Sequence, residues 1–229
     1  MSHLTRVTGR PLGRLLGAVV LLAGGAGAAV LLAAGPAEAA PCGNAIAVGA
    51  TCTLTGTLGV TTGTLSMNVP TALAWTAAEN GADQQIVDPT PAQQSYLVND
   101  ATGSGAGWHV TVSATTFTAT GPLTLANTGT FVTTGSITSE IAATAPTAAC
   151  SSGSTCTLPT DTTTYPVAIT TAATAPTAVN IYDTAAATGL GSITIGIGAL
   201  PVGWWVNVPA NTKAGTYTST ISLTLVSGP

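Results

Sequence analysis

The chain has 229 residues, 45% of them hydrophobic and only 5% charged, with a formal net charge of −4. Its three arginines, Arg6, Arg10 and Arg14, lie in the first fourteen positions and Lys213 is the one other strong base. That leaves no surface able to neutralise a run of phosphates, which argues against nucleic acids and anionic membranes as partners. The apolar fraction is large enough for a packed core, and the polarity comes mainly from threonine, whose branched Cβ suits a pleated strand.

In chain order, the three arginines precede the apolar run LLGAVVLLAGGAGAAVLLAA at residues 15–34 and the small-residue site Ala37-Glu38-Ala39. This order of basic, apolar and Ala-x-Ala segments predicts a secretory signal peptide over residues 1–39, with the mature chain starting near Ala40. An uncleaved anchor is the alternative, because about 20 apolar residues can span a bilayer. Glycines within the run and the cleavage site favour removal, and no stable membrane span is then expected. Export to an oxidising compartment makes disulfides the expected state of Cys42, Cys52, Cys150 and Cys156. Local pairing, Cys42 with Cys52 and Cys150 with Cys156, closes two short loops, each stabilising by about 2–3 kcal/mol. A zinc site is the alternative, but these spacings fit no compact Cys/His pattern.

Period-two alternation predicts half-buried strands through most of the remainder. Cys52, Leu54 and Leu58 alternate with Thr51, Thr53, Thr55 and Thr57. Leu65, Met67 and Val69 repeat the pattern, as do Trp108, Val110 and Val112, then Val167 with Ile169, Val179 with Ile181, and Ile193, Ile195 and Ile197. At the end, Tyr217, Ile221, Leu223 and Leu225 share one face, and Thr216, Thr218, Thr220, Ser222 and Thr224 the other. Turn clusters fall between them at Asn80-Gly81, Thr120-Gly121-Pro122, Asn127-Thr128-Gly129, Ser151-Ser152-Gly153 and Thr188-Gly189. The expected fold is all-β, an antiparallel sandwich or barrel with Greek-key-like connections. It forms a single domain over 40–229, with a disulfide-stapled loop insertion around 142–164.

Several residues invite a chemical role. Trp108 is in phase with Val110 and Val112, so core packing outweighs ligand contact. Gly103, Gly105 and Gly107 lack the spacing of a phosphate cradle and suit a tight crossing with positive φ, with Asp100 capping that turn. In Trp204-Trp205 the two indoles must point to opposite faces. With Val206 and Val208 setting the phase, Trp204 goes inward, and Trp205 beside Asn207 goes outward as a stacking platform for a sugar ring, unless a loop covers it. The candidate ligand-binding residues are therefore Trp205, Asn207 and Trp108. His109 is out of phase with the core, and no serine motif or free thiol accompanies it, so no catalytic residue is expected and the chain does not read as an enzyme. A glycosidase carboxylate pair and a calcium site at Asp83, Asp88 or Asp100 are not spelled out, and no metal or cofactor is expected.

The order at Val98 to Val112, VNDATGSGAGWHVTV, resembles the first signature of the WxL domain, a cell-surface module of Gram-positive bacteria. Val208-Pro209, then Ala214-Gly215-Thr216-Tyr217, then Ile221, Leu223 and Leu225 is similar to that domain's closing region. The chain departs from the pattern: the first site reads Trp108 and Val110, and the second reads Leu223 and Leu225 without a tryptophan, while Trp204-Trp205-Val206 lies well before it. The resemblance is thus to a divergent member, and the Ala, Gly and Thr bias fits an actinobacterial one. It implies non-covalent attachment to the cell wall through peptidoglycan or another wall glycan, beside other cell-surface proteins. From the ending Ser227-Gly228-Pro229, without an apolar tail and basic end, no covalent anchor is expected, in keeping with that implication. The competing reading is a structural or adhesive surface protein, a filament subunit pairing exposed strand edges between chains without binding glycan. Ice binding by threonine rows is disfavoured, because Thr51 to Thr57 is short and has no long repeat.

Overall fold

The computed structural model describes residues 40–41, 48, 52–138 and 140–229. The expected signal segment, Cys42 and Thr51 lie outside the described residues. The chain divides after Leu58 into two compact units. In the first, β1 (Ala40–Pro41) pairs in parallel with β2 (Cys52–Thr53). The predicted strand over residues 51–58 is corrected to these two residues of β2: Leu54 and Leu58 are 86% and 88% exposed. Their alternation marks a face that could be buried, but among the described residues no strand beyond β2 forms there to bury it.

The second unit holds β3 (Leu65–Asn68), β4 (Gln84–Val87), β5 (Tyr96–Asp100), β6 (Trp108–Thr115), β7 (Thr118–Ala119), β8 (Leu123–Thr124), β9 (Phe131–Thr134) and β10 (Ala148–Cys150). It continues with β11 (Val167–Ile169), β12 (Thr171–Ala172), β13 (Val179–Asp183), β14 (Gly191–Ile195), β15 (Gly203–Val208) and β16 (Ile221–Ser227). The only helical element described is a 3-10 turn at Pro91–Gln93. One antiparallel sheet runs β10-β14-β5-β3 and a second runs β11-β9-β15-β4. The third is built around β6. Val112 faces Val179 of β13 on one side and Leu223 of β16 on the other, and Ala114 faces Thr171 of β12 and Ile221 of β16. Thus β16 lines one edge of β6, while β13 and the short parallel β12 share the opposite edge. The fold is all-β and dominated by antiparallel pairing, as expected from the alternation.

The alternation is realised in detail. In β6 the residues Trp108, Val110, Val112 and Ala114 are fully buried and the intervening ones half-exposed, and β5 buries Tyr96 and Val98 on the same principle. These side chains join Phe117, Phe131, Ile181, Ile193, Ile195, Trp204 and Val206 in one core. Each such aliphatic side chain removed from water contributes roughly 1.5–3 kcal/mol before the entropy of ordering is subtracted. The five predicted turns each hold their glycine at positive φ, from Gly81 at 80° to Gly189 at 73°. Ile197 is a further correction: Gly196 turns the chain at φ 81°, so β14 stops at Ile195 and Ile197 is exposed.

The stretch 142–164 is more structured than a loop. It contributes β10 to the edge of the first sheet and makes bridges from Thr157 to Leu190 and from Asp161 to Thr184. The expected Cys150–Cys156 disulfide is present, with Cα atoms 5.5 Å apart. Cys52 is also disulfide-bonded.

Candidate functional site

Trp108 sits where the alternation puts it, with none of its surface exposed. Its Nε1–H donates to the Gly189 carbonyl at 2.8 Å, and its ring stacks on Tyr182 with centroids 5.7 Å apart. Its backbone N–H donates to Thr184 Oγ1 at 2.7 Å, and that hydroxyl donates back to the Trp108 carbonyl at 2.8 Å. The crossing before it behaves as read. Gly103, Gly105 and Gly107 have φ of 66°, 66° and 79°, and Asp100 Oδ1 accepts from the Thr102 amide at 3.0 Å and its hydroxyl at 2.7 Å. The two regions that resemble family signatures lie side by side, with Val110 opposite Leu225 and Val112 opposite Leu223.

The exposed platform at Trp205 is corrected. Trp204 and Trp205 do point to opposite faces of β15, yet each is only 1% exposed. The inner face carries Trp204 and Val206 into the core. The outer face, with Trp205 opposite Val132 of β9 and Val87 of β4, is covered by the chain that follows β9. Trp205 Nε1–H donates to the Ser136 carbonyl at 2.8 Å, Gly135 N–H to Thr144 O at 2.7 Å, and Ile141 N–H to Gln85 Oε1 at 3.2 Å. Two glycines permit the close approach: a Cβ on Gly203 would meet Ser136 O at 1.8 Å, and one on Gly135 would meet Ala145 O at 2.2 Å. This covering also explains why all four residues of β9 are buried, against simple alternation.

Asn207 is half-buried. Its Nδ2 donates to the Gly129 carbonyl, and it pairs across the strands with exposed Gln85. Both border a shallow depression of about 450 Å³ with Asp83, Gln84, Val208 and Pro209. His109 is half-buried, with Nδ1 2.6 Å from the Gly228 carbonyl. Among the described residues no three His, Cys, Asp or Glu side chains come together as a metal site.

A larger groove, about 850 Å³, lies elsewhere. Its floor is the core side chains Phe117, Leu125, Trp204, Val206 and Val208, with half-buried Ile86. One wall is the irregular chain from Pro70 to Ala77 with Glu79; the other is Thr212 to Ser219, leading to Ile221 and Leu223 of β16. Buried Asp88 holds the first wall, accepting from the Ala74 amide at 2.7 Å and from the Thr90 amide at 2.8 Å. Trp75 fastens the same wall. Its Nε1–H donates to Trp204 O at 2.9 Å, and its ring meets Phe117 and Phe131 edge-on, with centroids 5.8 Å away in each case. On the other wall Tyr217 donates its hydroxyl to the Lys213 carbonyl at 2.9 Å. Sequence reading missed Trp75 altogether, because TALAWTAAEN has no period that places it on a face. Its one signal was a lone tryptophan in an otherwise small-residue segment. Chemically the groove is a binding surface with an apolar floor and a hydroxyl-rich rim.

A family model described as WxL domain surface cell wall-binding matches residues 61–229. No curated protein and no solved structure matches the chain.

Proposed function

The chain belongs to the WxL family of surface cell wall-binding domains, and we propose that it is an exported protein of a Gram-positive bacterium held non-covalently on the wall by peptidoglycan or an associated wall glycan. The observation that carries this reading is the extent of the match, residues 61–229, which takes in nearly the whole of the second compact unit. A role in holding a wall glycan, without bond breaking, agrees with the site chemistry. Asp88 and Asp100 are buried and accept structural hydrogen bonds, and His109 contacts a backbone carbonyl. No helix among the described residues is long and apolar enough to cross a membrane.

Of the three residues expected to touch a ligand, Trp108 and Trp205 are buried and support the scaffold. Asn207 has its Oδ1 enclosed and its Nδ2 donated to the Gly129 carbonyl, so the proposed glycan contact is the exposed, uncharged amide edge at Gln85 opposite it. Amides donate and accept without a charge to desolvate, which suits the hydroxyl and acetamido groups of a wall sugar. Gln85→Ala in the full chain should lower retention on purified, protein-free walls several-fold with only a small fall in melting temperature, since the variant also loses the exposed acceptor of the Ile141 N–H. Equal retention would remove the amide edge from the reading. Comparing intact walls with walls stripped of their secondary polymers separates peptidoglycan from an associated glycan as the ligand.

A further inference from the structure

The walls of the large groove carry what a peptide recognises. Of the backbone N–H groups from Thr71 to Ala77, only that of Ala74 has an acceptor among the described residues, the Asp88 carboxylate. Across the groove the backbone N–H groups from Lys213 to Tyr217 have none, and of their carbonyls only that of Lys213 is bonded, by the Tyr217 hydroxyl. Both walls therefore present amides that the fold leaves unused, and such amides pair with those of an added chain. A sugar ring offers no row of amides at that spacing; a peptide does.

The charges agree with this. Beyond Arg14 the sequence holds a single Lys or Arg, Lys213, and it lies on one wall while Glu79 lies on the other. Neither has an ion-pair partner among the described residues. A ligand with a free carboxylate and an amine finds one counter-charge on each wall, and Phe117, Leu125, Trp204 and Val206 between them offer apolar surface for methyl groups. The volume of about 850 Å³ lies within the roughly 300–1,000 Å³ of small-ligand sites, which fits a few residues and not a folded domain.

We propose that this groove binds the peptide stem of peptidoglycan, with its carboxylates toward Lys213, the amine of its diamino acid toward Glu79 and its alanyl methyls on the floor. The proposal rests on the reading of wall attachment and narrows it: the groove takes the peptide, and the amide edge at Gln85 takes sugar. Val208 lines both the groove and the depression at Gln85, whereas of β4 only Ile86 lines the groove. Each stem is covalently joined to a sugar, so adjoining peptide and sugar sites are the arrangement such a ligand requires.

Titration of the full chain with a synthetic stem peptide tests this by tryptophan fluorescence, since Trp75 and Trp204 line the groove. The expected result is saturable binding that Lys213→Met weakens about threefold, with an unchanged near-ultraviolet circular dichroism spectrum because the side chain is exposed. Amidating the peptide's carboxylates should cost the wild type a similar factor and cost Lys213→Met nothing further. Gln85→Ala should bind the peptide as the wild type does. No binding, equal affinity for the amidated peptide, or equal affinity in Lys213→Met would overturn the proposal. Walls treated with an amidase that removes the stems should retain several-fold less protein than intact walls. Equal retention on both would overturn the groove's role and leave attachment through the glycan standing; retention on neither would overturn both readings.

Discussion

Trp205 shows how one residue's role depends on what lies above its sheet. The WW pair and its phase were legible, because adjacent strand residues must face opposite ways. The cover was not legible, because the chain from Gly135 to Thr147 carries no periodic pattern and binds mainly through backbone groups. The consequence is a change in what a substitution does. Trp205→Ala should cost about 3–5 kcal/mol of stability by opening a cavity and orphaning the Ser136 carbonyl. Urea unfolding checks this: a lower midpoint is expected, and a variant as stable as the wild type with selectively lost wall binding would restore the indole as a ligand contact. Trp108 was the easier residue, since Val110 and Val112 fixed its face and its burial followed.

At the scale of elements, strand faces were readable and strand partners were not. The pattern at Ile221, Leu223 and Leu225 gave the correct inward set, and the same kind of pattern at Leu54 and Leu58 predicted a buried strand that the single chain does not form. Alternation records which side chains want cover; pairing depends on residues far away in sequence. The groove wall from Pro70 to Ala77 was equally silent, being tied by Asp88 and Trp75 to β15 and its surroundings without regular structure. Asp88→Ala should leave the Ala74 and Thr90 amides without their acceptor, at a cost of about 2–3 kcal/mol. Hydrogen exchange should show the loss concentrated at Ala74, Thr76 and Ala77. Unchanged protection there would mean that Trp75 alone fixes the wall.

For the whole molecule, strand alternation and turn clusters carried the fold class, the N-terminal segment the expected compartment and the two signature-like regions the family, and pairing in the structure brings those regions together on β6 and β16. One global property emerges only from packing. Tyr96, Tyr165 and Tyr182 all have their phenol pKa raised, chiefly by burial, with the Asp161 carboxylate adding to it. Tyr165 donates its hydroxyl to Asp161 Oδ2 at 2.8 Å and lies 2.7 Å from the Ile181 carbonyl. An unfolded phenol ionises near 10. Below that value both states are protonated and the stability is fully present. Above it the unfolded state sheds protons that the folded state keeps, so stability falls as pH rises toward the folded values. Melting temperature should therefore be flat through neutral pH and drop beyond about 10, with the 295 nm phenolate signal of these three tyrosines appearing together with unfolding. Early, independent ionisation of all the tyrosines would contradict that packing.

The central claim, non-covalent retention on the wall, is tested most directly by incubating the purified full chain with protein-free cell walls, washing in high salt, and extracting the pellet with urea. The account predicts that the protein sediments with the walls, resists the salt wash because few charges are involved, and leaves in urea at unaltered mass. Protein that stays in the supernatant, or that leaves the pellet only after the wall itself is enzymatically digested, would contradict it.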